Sequence, residues 1–133
     1  MTDVAAFDLP ADRSLLIVED DKSFLTRLAR AMESRGFSVA TAETVAEGLL
    51  QVETAPPAFA VVDMRLGDGN GLDVISALNR RRPDARAIVL TGYGNIATAV
   101  NAVKLGAVDY LAKPADADDV IAALLALEGQ KPS

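Results

Sequence analysis

Four stretches of this 133-residue chain end an apolar run in residues able to do chemistry. Ser14-Leu15-Leu16-Ile17-Val18 runs into Glu19-Asp20-Asp21, and Ala60-Val61-Val62 runs into Asp63. Ala87-Ile88-Val89-Leu90 ends in Thr91, and Val108-Asp109-Tyr110-Leu111-Ala112 ends in Lys113-Pro114. Brought to one place, Glu19, Asp20 and Asp63 would repel one another unless a cation or a proton sat between them. Hard oxygen donors in a chain without His or Cys point to Mg²⁺, which keeps several waters and binds through one or two carboxylates plus phosphate oxygens. Lys113 adds a mobile point charge and Thr91 a hydroxyl donor. The set suits a phosphoryl group: metal and ammonium neutralise its oxygens while a carboxylate attacks in line.

The elements around these residues decide whether they meet. The apolar runs read as strands buried on both faces of a parallel sheet. Between them lie helical patterns. Phe24, Leu25, Leu28 and Met32 give one apolar face from about Lys22 to Arg35, and Gly36 stands where a helix-ending glycine belongs. Phe37-Ser38-Val39-Ala40 reads as a short second strand. Thr44-Val45-Ala46-Glu47 fits a capping box opening a helix to about Thr54, which Pro56-Pro57 ends. Leu72, Ile75 and Leu78 mark a third helix, and Asn95 to Leu105 an Ala/Val-rich fourth. Asp116 or Asp118 caps a fifth, running to about Leu127. Strict strand–helix alternation predicts an α/β fold: a flavodoxin-like (βα)5 three-layer sandwich with a parallel five-stranded sheet in the order 2-1-3-4-5. In that order the ends of strands one and three are neighbours, so Glu19-Asp20 should lie beside Asp63.

Composition removes several alternatives. Half the residues are hydrophobic and only 5% aromatic, so the core must be built from aliphatic side chains. A net charge of −6 argues against nucleic-acid binding by a broad basic surface of this segment. Without His the chain has no His general base and cannot be a phosphohistidine donor, and without Cys it has no disulfide or thiol nucleophile. No apolar run reaches the length of a membrane span, and the acidic N-terminus lacks the basic start of a signal peptide, so no membrane association and a cytoplasmic location are expected. Gly67-x-Gly69-x-Gly71 does not match the dinucleotide fingerprint and follows the third strand. A dehalogenase-type phosphatase would carry a second Asp where Arg65 stands. Arg80-Arg81-Arg82 reads as a solvated helix end complementing the dipole. Residues 1–13 read as a flexible N-terminal tail, and 129–133 as the start of a linker to an output domain absent from this chain.

Over residues 14–128 the chain resembles the receiver domain of bacterial two-component response regulators. Leu16-Ile17-Val18-Glu19-Asp20-Asp21 resembles the family's acidic-pair strand, and Val61-Val62-Asp63-Met64-Arg65 its phospho-acceptor strand. Leu90-Thr91-Gly92 and Asp109-Tyr110-Leu111-Ala112-Lys113-Pro114 resemble its switch positions and its lysine. The stretches Asp63-Met64-Arg65-Leu66 and Leu90 to Ala99 are most similar to the RegA/PrrA/ActR redox-responsive subfamily.

The resemblance implies that Asp63 accepts a phosphoryl group from the phosphohistidine of a sensor histidine kinase. Asp20, Asp63 and the Arg65 backbone carbonyl would ligate Mg²⁺ directly, and Glu19 largely through water. Thr91 and Lys113 would hold phosphate oxygens, Tyr110 would turn inward as Thr91 moves, and the Lys113-Pro114 bond would be cis. Asp21 falls outside this set and reads as the cap of the first helix. Such a domain is a signalling phospho-acceptor catalysing only its own phosphorylation and dephosphorylation. Its output would be a changed surface on the fourth helix, fifth strand and fifth helix, suited to a homodimer. Transcription control would run through a C-terminal helix-turn-helix DNA-binding domain, the alternatives being a stand-alone receiver or a non-phosphorylated interaction module. Arg65 and Tyr93, two positions beyond Asp63 and Thr91, are expected to overhang the phosphate and prolong its lifetime. One departure from the family is Gly67 where many members have Pro, which predicts a more mobile turn.

Overall fold

The computed structural model describes residues 11–92, 109–113 and 115–129. Five strands form one sheet: β1 (Ser14–Val18), β2 (Ser38–Ala42), β3 (Phe59–Asp63), β4 (Arg86–Thr91) and β5 (Asp109–Ala112). Every pairing is parallel and the order is β2-β1-β3-β4-β5, as expected. Helices α1 (Lys22–Ser34), α2 (Val45–Thr54) and α3 (Leu72–Arg81) and a C-terminal helix (Ala117–Gly129) flank it. The expected fourth helix, Asn95 to Leu105, lies outside the described residues, as do Tyr93 and Pro114 and with them the cis bond. No helix among the described residues is long and apolar enough to cross a membrane.

Alternation along each strand assigns the two faces. Leu16, Val18, Ala60, Val62 and Val89 pack with Val52 of α2 and Val74, Ile75 and Leu78 of α3. Their neighbours Leu15, Ile17, Val61, Ile88 and Leu90 point the other way, onto α1 and the C-terminal helix. All five residues of β3 are buried. Each aliphatic side chain buried this fully contributes about 1.5–3 kcal/mol, enough together to offset the crowding of acids at one rim.

Local signals set the helix ends. Asp21 caps α1, its carboxylate accepting from Phe24 N–H at 3.2 Å. Gly36, at φ 100°, closes α1 in a Schellman motif: Gly36 N–H bonds Glu33 and Phe37 N–H bonds Met32. Thr44 caps α2 as expected, but the Glu47 carboxylate reaches Glu43 N–H, one residue before the cap. Asp116, not Asp118, caps the C-terminal helix, exchanging backbone bonds with Asp119. Asp118 instead pairs with Arg35 of α1 at 3.1 Å.

Two segments differ from the sequence reading. β2 begins after Phe37 and extends to Ala42, because Thr41 and Ala42 pair with Ile17 and Val18. Phe37 leaves the strand to meet Phe59 edge-to-face, with ring centroids 5.6 Å apart. The glycine-rich turn after Asp63 is also more ordered than a plain turn: Arg65–Leu66 and Gly69–Asn70 form a small antiparallel ribbon. At its far end Gly71 lies so close that a Cβ there would fall on the Asp63 carbonyl oxygen and against Val62. The arginine triplet does more than solvate a helix end. Arg81 donates to the Glu53 carbonyl, and Arg82 donates to Pro56 and pairs with Asp12 at 2.7 Å.

Asp12 therefore ties the start of the described chain to the domain. Backbone N–H of Ser14, then the Arg82 guanidinium, lower its pKa from 3.8 to about 2. A depressed carboxyl stabilises above its unfolded value, so this contribution is present above pH 3.8 and is lost as pH falls towards about 2. Asp12→Ala should lower urea-measured stability modestly at pH 6, because the pair is half exposed, and the gap to wild type should close on acidification. The second expectation concerns Gly71. Gly71→Ala should cost about 3 kcal/mol by overpacking. Gly67→Ala, with nothing near the added methyl, should be neutral or gain up to about 1 kcal/mol in the same melts.

Candidate functional site

Sheet register builds the rim. Val18 pairs with Val62, so Glu19 follows at the level of Asp63. Asp63 pairs with Leu90, and Thr91 follows it. Thr91 pairs with Ala112, after which comes Lys113. Four strands thus deliver their terminal polar residues in sequence across the carboxyl end of the sheet. Backbone bonds hold the step in place: Glu19 N–H to Ala42, Met64 N–H to Leu90 and Lys113 N–H to Thr91.

Glu19, Asp20 and Asp63 each offer a carboxylate oxygen, and these atoms all lie within 4.8 Å of one another. Glu19 is wholly buried (0% exposed) and Asp63 nearly so (6%), while Asp20 is exposed at the mouth. Lys113 answers them. Its Nζ donates to Asp63 Oδ2 at 2.9 Å and stands 3.1 Å from Glu19 Oε1. The second contact is an ion pair by distance without the geometry of a directed hydrogen bond, so buried Oε1 lacks a hydrogen-bond donor. Burial depresses the Lys113 amine, but the Asp63 hydrogen bond and the close Glu19 carboxylate outweigh it and the pKa is raised. Glu19 moves the other way for an acid. Burial first, then the Asp63 carboxylate, lift it to about 7, against the Asp21 N–H bond and Lys113. The rim therefore draws in positive charge beyond what Lys113 supplies. An orphaned buried oxygen among three carboxylates fits a hard divalent cation.

Asp63 Oδ1 accepts Arg65 N–H at 3.2 Å, which places the Arg65 main chain against Asp63 while the Arg65 side chain is exposed. Thr91 is buried, and its hydroxyl donates to the neighbouring Gly92 carbonyl at 3.3 Å. Tyr110 pairs with Val89 and packs half-buried against the α2–α3 side of the core. By alternation Thr91, two residues past Val89, shares that face. The structure thus joins Glu19, Asp20, Asp63 and Lys113 in one cluster and sets Thr91 on the adjoining strand end. Tyr93 lies outside the described residues.

Sequence reasoning missed two contributors. Phe24 belongs by sequence to the apolar face of α1, yet Lys113 Nζ stands over its ring, 5.6 Å from the centroid. An open depression of about 370 Å³ lined by Asp21, Phe24, Arg27 and Lys113 adjoins it. The placing of Phe24 three residues after a capping acid, facing the rim, was the available signal. Gly71 was the other, visible only as one of several glycines.

Comparison with known proteins agrees with this geometry. The response regulator receiver domain family matches residues 15–125. The acid tolerance regulatory protein ActR of Sinorhizobium medicae is 69% identical over 120 residues, 90% of this chain and 62% of that protein. The photosynthetic apparatus regulatory protein RegA of Cereibacter sphaeroides is 64% identical over 126 residues, 95% of this chain and 68% of that protein. The chain thus spans only about two thirds of these relatives' length. Among solved structures, a response regulator from Burkholderia pseudomallei has a phosphorylated aspartic acid, a calcium ion and citrate. It superposes with a TM-score of 0.82 at 45% identity, over 90% of this chain and 71% of that one. Rim geometry, family match and relatives converge: this chain belongs to the response regulator receiver domains, within the RegA/ActR subfamily.

Proposed function

We propose that Asp63 is the phospho-acceptor of a Mg²⁺-dependent switch served by a sensor histidine kinase. The observation that carries this is Asp63 itself: nearly buried, bonded to Lys113 at 2.9 Å, and set among carboxylates converging within 4.8 Å. An Asp63 oxygen attacks phosphorus as the P–N bond of the donor's phosphoimidazole breaks. The electron pair leaves with the imidazole nitrogen and an acyl phosphate remains on Asp63. Asp20, Asp63 and the Arg65 carbonyl would hold Mg²⁺ directly and Glu19 largely through water, and the ion would supply neutralising charge for the transferring oxygens. Lys113 exchanges its bond to the free carboxylate for one to a phosphate oxygen. Water later attacks the phosphorus, the bond from the Asp63 oxygen to phosphorus breaks, and inorganic phosphate leaves the free Asp63 carboxylate behind.

Phosphorylation biases a pre-existing equilibrium. The Thr91 hydroxyl leaves the Gly92 carbonyl for a phosphate oxygen, and Tyr110, on the same face, follows into the vacated space. The changed surface includes β5 and the C-terminal helix and favours a homodimer. Because the relatives are longer, we assign transcription control to a DNA-binding output domain outside this segment, acting in the cytoplasm. Residues 14–128 form the receiver, between an N-terminal tail and a linker.

Phosphoryl uptake from acetyl phosphate should require Mg²⁺ and vanish in Asp63→Asn, read by mass spectrometry. Uptake by Asp63→Asn at the wild-type rate, or none by folded wild type, refutes the assignment. Replacing both Arg65 and Tyr93 by Ala should shorten the acyl-phosphate lifetime about tenfold or less, as two partial shields against water would. An unchanged decay rate would show that neither side chain covers the phosphate.

A further inference from the structure

The turn of the ribbon carries a carboxylate that the phosphoryl chemistry does not use. Asp68 reaches across to the first turn of α2, far away in sequence. Its Oδ1 accepts Val45 N–H at 2.8 Å and its Oδ2 accepts Ala46 N–H at 3.2 Å. Thr44 takes the next donor, Glu47 N–H, so the helix start is shared between a local cap and a remote one. The bonds from α2 hold Asp68 in its charged form and lower its pKa, with the Val45 N–H first among the causes. Beside this contact Leu66 is buried in the same cluster as Val45.

A ribbon with two residues in each strand does not hold itself together in water. This one begins at Arg65, whose N–H bonds Asp63 Oδ1 and whose carbonyl is assigned to the metal. It ends beside Gly71, pressed against the Asp63 carbonyl. Between these ends the exposed turn is fastened to the domain by Asp68. We infer that Asp68 is a positioning residue: by tying the ribbon turn to the start of α2, it holds the Arg65 main chain against Asp63 and so sets the affinity of the rim for Mg²⁺.

This inference rests on the metal role proposed for Arg65, and the two can fail separately. The test uses the whole chain as wild type, Asp68→Ala, Asp68→Asn and Thr44→Ala. Two quantities are read: amide hydrogen exchange at Arg65 without metal, and Mg²⁺ affinity by calorimetry. Asp68→Ala should raise Arg65 exchange severalfold and weaken Mg²⁺ binding about tenfold, the low end for a support behind a metal ligand. Asp68→Asn, which keeps one acceptor oxygen, should fall between. Thr44→Ala, which removes the local cap of the same helix, should lower stability while leaving both quantities at wild-type values. Unchanged exchange and affinity in Asp68→Ala, or equal losses in Thr44→Ala, overturn the inference. A wild type that binds no Mg²⁺ overturns the functional reading together with this one, whereas normal binding by wild type and Asp68→Ala alike overturns this one alone.

Discussion

Like charge held in a buried place is the constraint on which this domain turns. Three carboxylates meet at the end of a sheet whose interior is almost entirely apolar, and one ammonium stands among them. Left in water, these groups would separate. The register of four parallel strands forbids that, because moving Glu19 or Asp63 would break the ladder that packs Val18 and Val62. Burial first, and then the neighbouring Asp63 carboxylate, raise the Glu19 pKa to about 7. A site with this imbalance is poised for an additional positive charge, and a phosphoryl group brings the oxygens that such a charge can share.

The surrounding elements each serve that arrangement at a different distance. Phe24 offers the Lys113 amine an aromatic face, and Asp21 spends its carboxylate on α1 instead of joining the cluster. Thr91, one residue beyond the partner of Asp63, keeps its hydroxyl on a weak local bond that is readily exchanged. The ribbon links Asp63 to α2, so the rim is supported from the side of the core opposite α1.

Much of this was legible in the chain. Alternating aliphatic runs named the strands, and the order of strand and helix named the sheet topology. The acids, Thr91 and Lys113 were visible because each interrupts an apolar run at its end. What stayed hidden has physical reasons. β2 lies at the sheet edge, where backbone pairing with β1 rather than hydrophobicity sets its length, so Thr41 looked like loop. Strands of two residues carry no periodicity, so the ribbon read as a turn. Asp68 in a run of glycines gives no hint of a partner in another helix. Phe24 satisfied the apolar pattern of α1 and so disguised its second contact. Arg82 looked like surface charge because its acceptors, Pro56 and Asp12, are distant in sequence.

Lys113 bridging Glu19 and Asp63 has a kinetic side. The amine occupies, by a flexible stem, part of the space that a divalent ion would neutralise. Metal loading, as proposed, would then be an exchange among lysine, proton and metal rather than the filling of a rigid cage. In the proposed phosphoryl cycle, loss of the group would leave the tethered amine within reach of the Asp63 carboxylate, so each turn would start from the charge pattern seen here.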